Sequence, residues 1–417
     1  MGRAGEGAAR MPNGETVFVP FTLPGEQVDV EAAGGRLVAA RIVLPSQDRR
    51  VAPCPHFGAC GGCAVQHWDD AAYAAWKRGL VVEAMARAGY QDAPVSPLAR
   101  TPPGARRRMD LAFQRGPVQA LGLHRQHATE IIPIETCAVL HPALLALLAP
   151  LRAIMPRLNG VRRGAAIIAN LLDSGPDLLI RADGAAEAGD RARLAEFAAA
   201  QGIPRIAWAR ENGVPETVAQ SAPPWHAFAG VRVCPPPGAF LQASAQGEAA
   251  IVAAMLAGLP ETLRGRGGIF DLFAGIGTLG FALMARGKVR AFEGDGAAAA
   301  ALAKAAGGTR VAAARRDLAR QPLQAAELAQ ASAVVLDPPF AGAKEQMGPL
   351  AAGGVPVVIY VSCNPAVLGR DAAVLRKAGY TLAAVTPVDQ FLWSAQVEAV
   401  AVFVLAASGP GRRARAG

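Results

Sequence analysis

Residues 268–287 read GIFDLFAGIGTLGFALMARG. An apolar run of strand length meets a glycine-rich turn, and a helix-forming segment follows at once. The same alternation continues downstream. KVRAFE (288–293) reads as a strand and AAAAALAKAAGG (297–308) as a helix. ASAVVLDPP (331–339) and VPVVIYVSCNP (355–365) read as further apolar strands, AVLGRDAAVLRKAG (366–379) as a helix, and AVAVFVLAA (399–407) closes the series. Strands alternating with helices of this size predict an α/β unit with a parallel, doubly wound sheet.

The glycine turn is a place where backbone can approach a ligand closely. Its spacing alone also suits a nicotinamide dinucleotide. Two acids favour a different ligand. Asp271 precedes the glycines, where it can meet an amino group, and Glu293 ends the next strand, where an acid suits ribose hydroxyls. An amino-acid end and a nucleoside end together describe S-adenosylmethionine. Asp271 also reads simply as a strand-end carboxylate. In LDPPF (336–340), two prolines fix the loop after the next strand and withhold donors; it reads as a rigid loop or, from its place next to the cofactor turn beyond the strand ends, as one that faces Asp337 to the substrate.

Cys363 stands one residue past the run VPVVIYVS, between Ser362 and Asn364. A buried structural thiol belongs inside such a run, so at its end Cys363 reads equally as a nucleophile or as a chance surface thiol. Glu398 immediately precedes the last apolar strand. It reads either as a solvated strand-entry charge or as a half-buried carboxylate with the raised pKa of a general base.

Upstream, the organisation differs. The chain has 417 residues, 52% hydrophobic and 18% charged, which predicts more than one globular domain. A net charge of +9 makes nucleic acid the first class of anionic partner. No secretory signal and no apolar run of about 18 residues is visible, so a cytoplasmic protein without a membrane span is expected. ETVFVPF, LPGEQVDVEA and GRLVAARIVLP, in the first 50 residues, read as short strands of a small β-barrel. Cys54, Cys60 and Cys63 follow C-x5-C-x2-C, with Cys137 a distant fourth thiol. Clustered cysteines in a reducing compartment predict a metal site, and spacing alone favours structural zinc over an iron–sulfur cluster. His56 and His67 read as packing or hydrogen-bonding residues, and Cys234 as a plain core or loop residue. Residues 68–89 read as a helix and 106–134 as hairpin strands, while Pro235–Pro237 and Gly238 mark a linker. Arg106 and Arg107, in ARRRMDLAF, are candidates for phosphate contacts or for a solvated face.

FLQAS (240–244), DLFAGIG, LDPPF, YVSCNP and QVEAV (396–400) occur in this order and at a spacing that resembles the RNA 5-methyluridine methyltransferases over residues 1 to about 405. The resemblance implies a class I, Rossmann-like S-adenosylmethionine methyltransferase domain at 237–408. It implies an OB-like TRAM β-barrel at 1–52, lacking its first strand, and a central α+β iron–sulfur domain at 53–236. A basic tail, 409–417, follows. It implies Cys363 as nucleophile and Glu398 as base, with Gln242, Phe273, Thr278, Glu293, Asp317 and Asp337 around S-adenosylmethionine. It also implies a [4Fe–4S] cluster on Cys54, Cys60, Cys63 and Cys137, reversing the preference for zinc. The substrate it implies is RNA, 23S rRNA before tRNA, acted on by a monomer with no obligate protein partner. Phe340 stands where relatives often carry arginine, Thr278 and Ala274 where they often carry Asn and Cys, and Gln396 where histidine is common.

Overall fold

The structure, a computed structural model, describes residues 1–406 apart from 3, 12, 34, 35, 118, 262 and 264–266. The expected tail at 409–417 lies outside the described residues. Eight strands form the C-terminal sheet, in the order Val311–Arg315, Val289–Glu293, Ile269–Leu272, Ala333–Leu336, Val357–Ser362, Glu398–Leu405, Tyr380–Asp389 and Ala99–Arg100. The first five run parallel to one another. The chain starts at Ile269–Leu272, winds outward to one side, then returns and winds to the other. The strand order therefore reverses between Ile269–Leu272 and Ala333–Leu336, the place where open α/β sheets bind ligands.

The sheet is not parallel throughout, contrary to the expectation from alternation. Glu398–Leu405 runs antiparallel to both Val357–Ser362 and Tyr380–Asp389. Only residues 390–397 join the last two strands of the chain, with no helix among them. A parallel return needs a crossover of a dozen residues or more, so this connection closes as a reversal.

Both faces of the sheet are covered, which is why Val357–Ser362 is buried at all six positions. Val357, Ile359 and Val361 enter one core with Ala333, Val335, Val400 and Val402. Val358 and Tyr360 enter the opposite core with Val334, Leu336, Ala399, Ala401 and Phe403. This period of two fixes which residues leave the sheet on the same side. The helix Asp70–Arg87 adds Val81, Ala84 and Met85 to that second core, so part of the expected central segment packs into the C-terminal layer.

A second sheet of seven strands runs in the order Glu216–Gln220, Arg205–Arg210, Gly175–Ala182, Gly164–Leu172, Arg108–Gln114, Ala120–His124 and Ile131–Pro133. It has its own core, centred on Leu111, Ile167, Leu178, Ile180 and Trp208. Near the N-terminus, Gly7–Arg10 pairs with Thr16–Val19 and Gln27–Ala33 with Arg36–Leu44, both antiparallel. Among the described residues, no helix is long and apolar enough to cross a membrane.

Candidate active site

The strand Val357–Ser362 ends because its next residues impose a turn. Ser362 Oγ accepts from the Asn364 amide at 3.2 Å, the Asn364 side chain caps the following helix by accepting from the Val367 amide at 3.4 Å, and Pro365 occupies the first turn of Pro365–Lys377. Cys363 is held at the junction of strand and helix. Strand pairing matches Ser362 with Ala399, so continuation of the register sets Cys363 opposite Glu398. Alternation puts both on the face of Val361 and Val400. Asp337 follows Ala333 and Val335 onto the same face, and Asp271 follows Ile269. Four chemically active side chains from four strands thus share one side of the sheet.

A chain of side-chain amides links the acids. Gln390 Nε2 donates to Glu398 Oε2 at 2.7 Å and to Gln242 Oε1 at 2.7 Å. Gln242 Nε2 donates to Asp337 Oδ2 at 3.1 Å. Glu398 is 3% exposed, and its Oε1 is buried with no partner among the described residues. Burial, with the Asp337 charge next in effect, pushes the Glu398 carboxyl up to about 8. Burial likewise pushes Asp337 up to about 7, against the hydrogen bond from Gln242. The Cys363 thiol rises to about 12, first through burial and then through Glu398 and Asp337. The three groups resist carrying negative charge together, and a cation brought among them favours their ionised forms.

The glycine turn lies at the adjacent strand end. Phe273 has φ +62°, left-handed for a non-glycine residue, followed by Gly275 at +56° and Gly277 at +100°. A side chain at Gly275 would meet nothing within 4 Å, so the backbone there is open to approach. Glu293 braces it, Oε2 accepting from the Gly275 amide at 2.7 Å and Oε1 from the Asp295 amide at 2.6 Å. Asp317 closes its own turn by accepting from the Ala319 amide at 3.0 Å, and its backbone packs on Gly294. Thr278 starts the short helix Thr278–Leu283. Asp271 is fully buried against Gly280, and neither carboxylate oxygen has a partner among the described residues. Burial raises its carboxyl well above the usual range.

Cys54, Cys60, Cys63 and Cys137 line one cavity of about 270 Å³ together with His56, Arg106 and residues of the 390–396 segment. Burial and the neighbouring thiols push Cys63 up to about 12. Among the described residues, no group of three or more His, Cys, Asp or Glu closes around a single metal ion. His56 accepts from the Glu135 amide, and His67 packs on Phe57, matching the packing and hydrogen-bonding roles expected of them. Cys234 is exposed in the loop after Val231–Val233.

The arginines resolve differently from a shared phosphate contact. Arg107 is 6% exposed and is committed inside the protein. It donates to the Gln242 carbonyl at 2.9 Å and pairs with Glu248, so it anchors the FLQAS loop rather than offering a surface charge. Arg106 faces the cysteine cavity. Phe340 is 58% exposed, and its carbonyl accepts from Asn364 Nδ2 at 3.3 Å, tying the LDPPF loop to the thiol turn. Sequence reasoning missed Gln390. The residue lies between a strand and a loop and shows no charge or periodicity to mark it.

The geometry matches known proteins along nearly the whole chain. An uncharacterised RNA methyltransferase of Brucella suis is 41% identical over 407 residues, covering 96% of this chain and 95% of the relative. The 23S rRNA (uracil(1939)-C(5))-methyltransferase of Chromohalobacter salexigens is 34% identical, covering 95% of this chain and 86% of the relative. This chain belongs to the RNA 5-methyluridine methyltransferase family. The TRAM domain family model matches residues 1–33 of the methyltransferase. Its fold is that of the tRNA (uracil-54, C5)-methyltransferase of Pyrococcus abyssi, solved with S-adenosyl-L-homocysteine, with a TM-score of 0.69, 19% identity and coverage of 96% of this chain and 100% of that one. The methyltransferase is accordingly an S-adenosylmethionine-dependent enzyme acting on RNA, built on a class I methyltransferase sheet.

Proposed function

We propose that this enzyme methylates C5 of a uracil in 23S rRNA through a covalent adduct on Cys363. The observation that carries this reading is the pairing of Cys363 and Glu398 at adjoining strand ends on one face, with Glu398 Oε1 left open. Uracil C5 is a poor nucleophile. The Cys363 thiolate adds to C6, and the electron pair of the C5–C6 double bond moves into the ring as an enolate. When bound, S-adenosylmethionine would supply an electrophilic methyl group to C5, the electron pair of the broken S–C bond remaining on its sulfur. Glu398 then removes the C5 proton, the C5–C6 double bond reforms, and Cys363 leaves as thiolate. A base inside a duplex must be turned out of the stack to reach both groups.

The open backbone at Gly275 and the loop braced by Glu293 suit S-adenosylmethionine, with Phe273, Thr278, Glu293, Asp317, Asp337 and Gln242 as the residues around it. Cys54, Cys60, Cys63 and Cys137 line one cavity, and four thiols are the ligand set that a [4Fe–4S] cluster takes. Such a cluster would cross-link the 54–63 loop to the 137 segment.

Incubation with S-adenosylmethionine and 23S rRNA carrying 5-fluorouridine tests the reading. Fluorine at C5 cannot leave as a proton, so the wild type is expected to stall as a covalent protein–RNA adduct. No adduct with that RNA, alongside an adduct with tRNA, would move the substrate. No adduct with either would overturn the mechanism. Iron and sulfide against zinc, measured on anaerobically purified protein, decides the metal.

A further inference from the structure

Gln390 is 3% exposed, and its amide is almost fully engaged. Nε2 donates to Glu398 Oε2 and to Gln242 Oε1, both at 2.7 Å, while Oε1 accepts from the Ala243 amide at 2.9 Å. The opposite amide orientation would set an oxygen against two acceptors, so the network fixes which way the group points. The backbone on either side is held as well. Asp389 accepts from Lys77 Nζ at 2.5 Å and from the Tyr73 hydroxyl at 2.7 Å, and its carbonyl accepts from Thr101 Oγ1 at 2.7 Å. Lys77 Nζ also donates to the Phe391 carbonyl at 2.9 Å. Gln390 therefore has neither a free backbone nor a free rotamer.

We propose that Gln390 is a positioning residue for the reaction. It holds Glu398 by one carboxylate oxygen and links it to Gln242 and Asp337, so that Oε1 alone is presented to the C5 proton. The inference rests on the reading of Glu398 as the base. A neutral N–H donated to a carboxylate favours its ionised form, opposing burial and the Asp337 charge. Loss of that donor has two consequences. The carboxylate can rotate, and it needs a higher pH to ionise. Proton removal from C5 suffers, while Cys363 addition and methyl transfer do not use Glu398, and saturating S-adenosylmethionine offsets any loosening of Gln242.

The test compares Gln390→Met and Gln390→Asn with wild type on two RNAs. With 5-fluorouridine RNA, which cannot reach proton removal, both variants are expected to trap within about threefold of the wild-type rate. With 5-tritiated uridine RNA, tritium release is expected to fall about 10–100-fold. Methylated adduct should accumulate, and the acidic limb of the release rate should move to higher pH. Wild-type release and an unmoved limb in both variants would overturn the proposal. So would loss of trapping in step with release in both, because that marks a purely structural role. If wild type itself does not trap, the Cys363–Glu398 reading has failed, a result distinct from the others.

Discussion

Carboxylates stand at both halves of the same sheet edge, and they are treated in opposite ways. On the cofactor half, Glu293 gives each oxygen to a backbone amide, and Asp317 accepts from the start of its own turn. On the other half, Glu398 has one side-chain donor and one bare oxygen, and Asp337 has a single donor at 3.1 Å. Burial alone does not separate the two. Asp389 is fully buried too, yet it has Lys77, also fully buried, and Tyr73 as partners. What sets Glu398 and Asp337 apart from Glu293 and Asp317 is a shortage of donors, which Asp271 at the first strand end shares; that shortage raises the pKa of a carboxyl and makes its ionised form a stronger base.

The largest expected loss tests whether the donor-poor half holds the chemistry. Cys363→Ala should abolish the trapped adduct and lower methylation at least ~10⁴-fold, read by gel shift and by mass spectrometry of the RNA. Retained trapping would place the nucleophile elsewhere. Glu398→Gln should slow turnover by about 10²–10⁴-fold and leave methylated adduct on ordinary uridine RNA. The same substitution should stabilise the fold at alkaline pH. Glu398 ionises near its ordinary 4.5 in the unfolded chain and at about 8 when folded. Between those values the folded chain retains a proton that the unfolded chain has lost, so stability falls as pH rises. Glutamine has no proton to lose, and the variant should gain on the order of 4 kcal/mol at pH 8 by urea denaturation. Equal stability of the two proteins from pH 5 to pH 8 would show that the carboxyl is not perturbed.

Lys77→Met turns the donor-rich Asp389 into a donor-poor one. A fully buried carboxylate stripped of its cation should reduce stability by about 3–5 kcal/mol, measured by chemical denaturation. Asp337→Asn works in the other direction. Removing its charge should bring the acidic limb of kcat/KM to lower pH, because Asp337 helps raise the Glu398 pKa. A limb that stays in place would assign the shift to burial alone. The smallest effect belongs to the cofactor half. Glu293→Gln should raise the KM for S-adenosylmethionine about 3–10-fold and leave the pH profile as it is, because one amide hydrogen bond weakens without moving the base.

Much of this division was legible in the sequence. The run VPVVIYVS had to be a strand buried on both faces, and SCNP had to stop it, since serine turn, asparagine cap and N1 proline all act locally. The glycine turn and LDPP declared themselves for the same reason. Strand direction did not. AVAVFVLAA looks alike whether it runs parallel or antiparallel, and Tyr380–Asp389, broken by Thr386 and Pro387, shows no uniform apolar run. Arg107 looked like a surface charge because its partners, Gln242 and Glu248, lie more than 130 residues away. Gln390 was invisible for a related reason. It matters through Gln242, 148 residues distant, and an uncharged side chain gives no hint that it will be buried.

The clamp between Lys77 and Asp389 spans 312 residues of chain. During synthesis at 5–20 residues per second, the helix Asp70–Arg87 is complete about 15–60 s before its counter-charge has been made. Through that interval its lysine must stay hydrated and Val81, Ala84 and Met85 lack their final cover. The nascent chain thus carries an unfinished face until its last strands emerge.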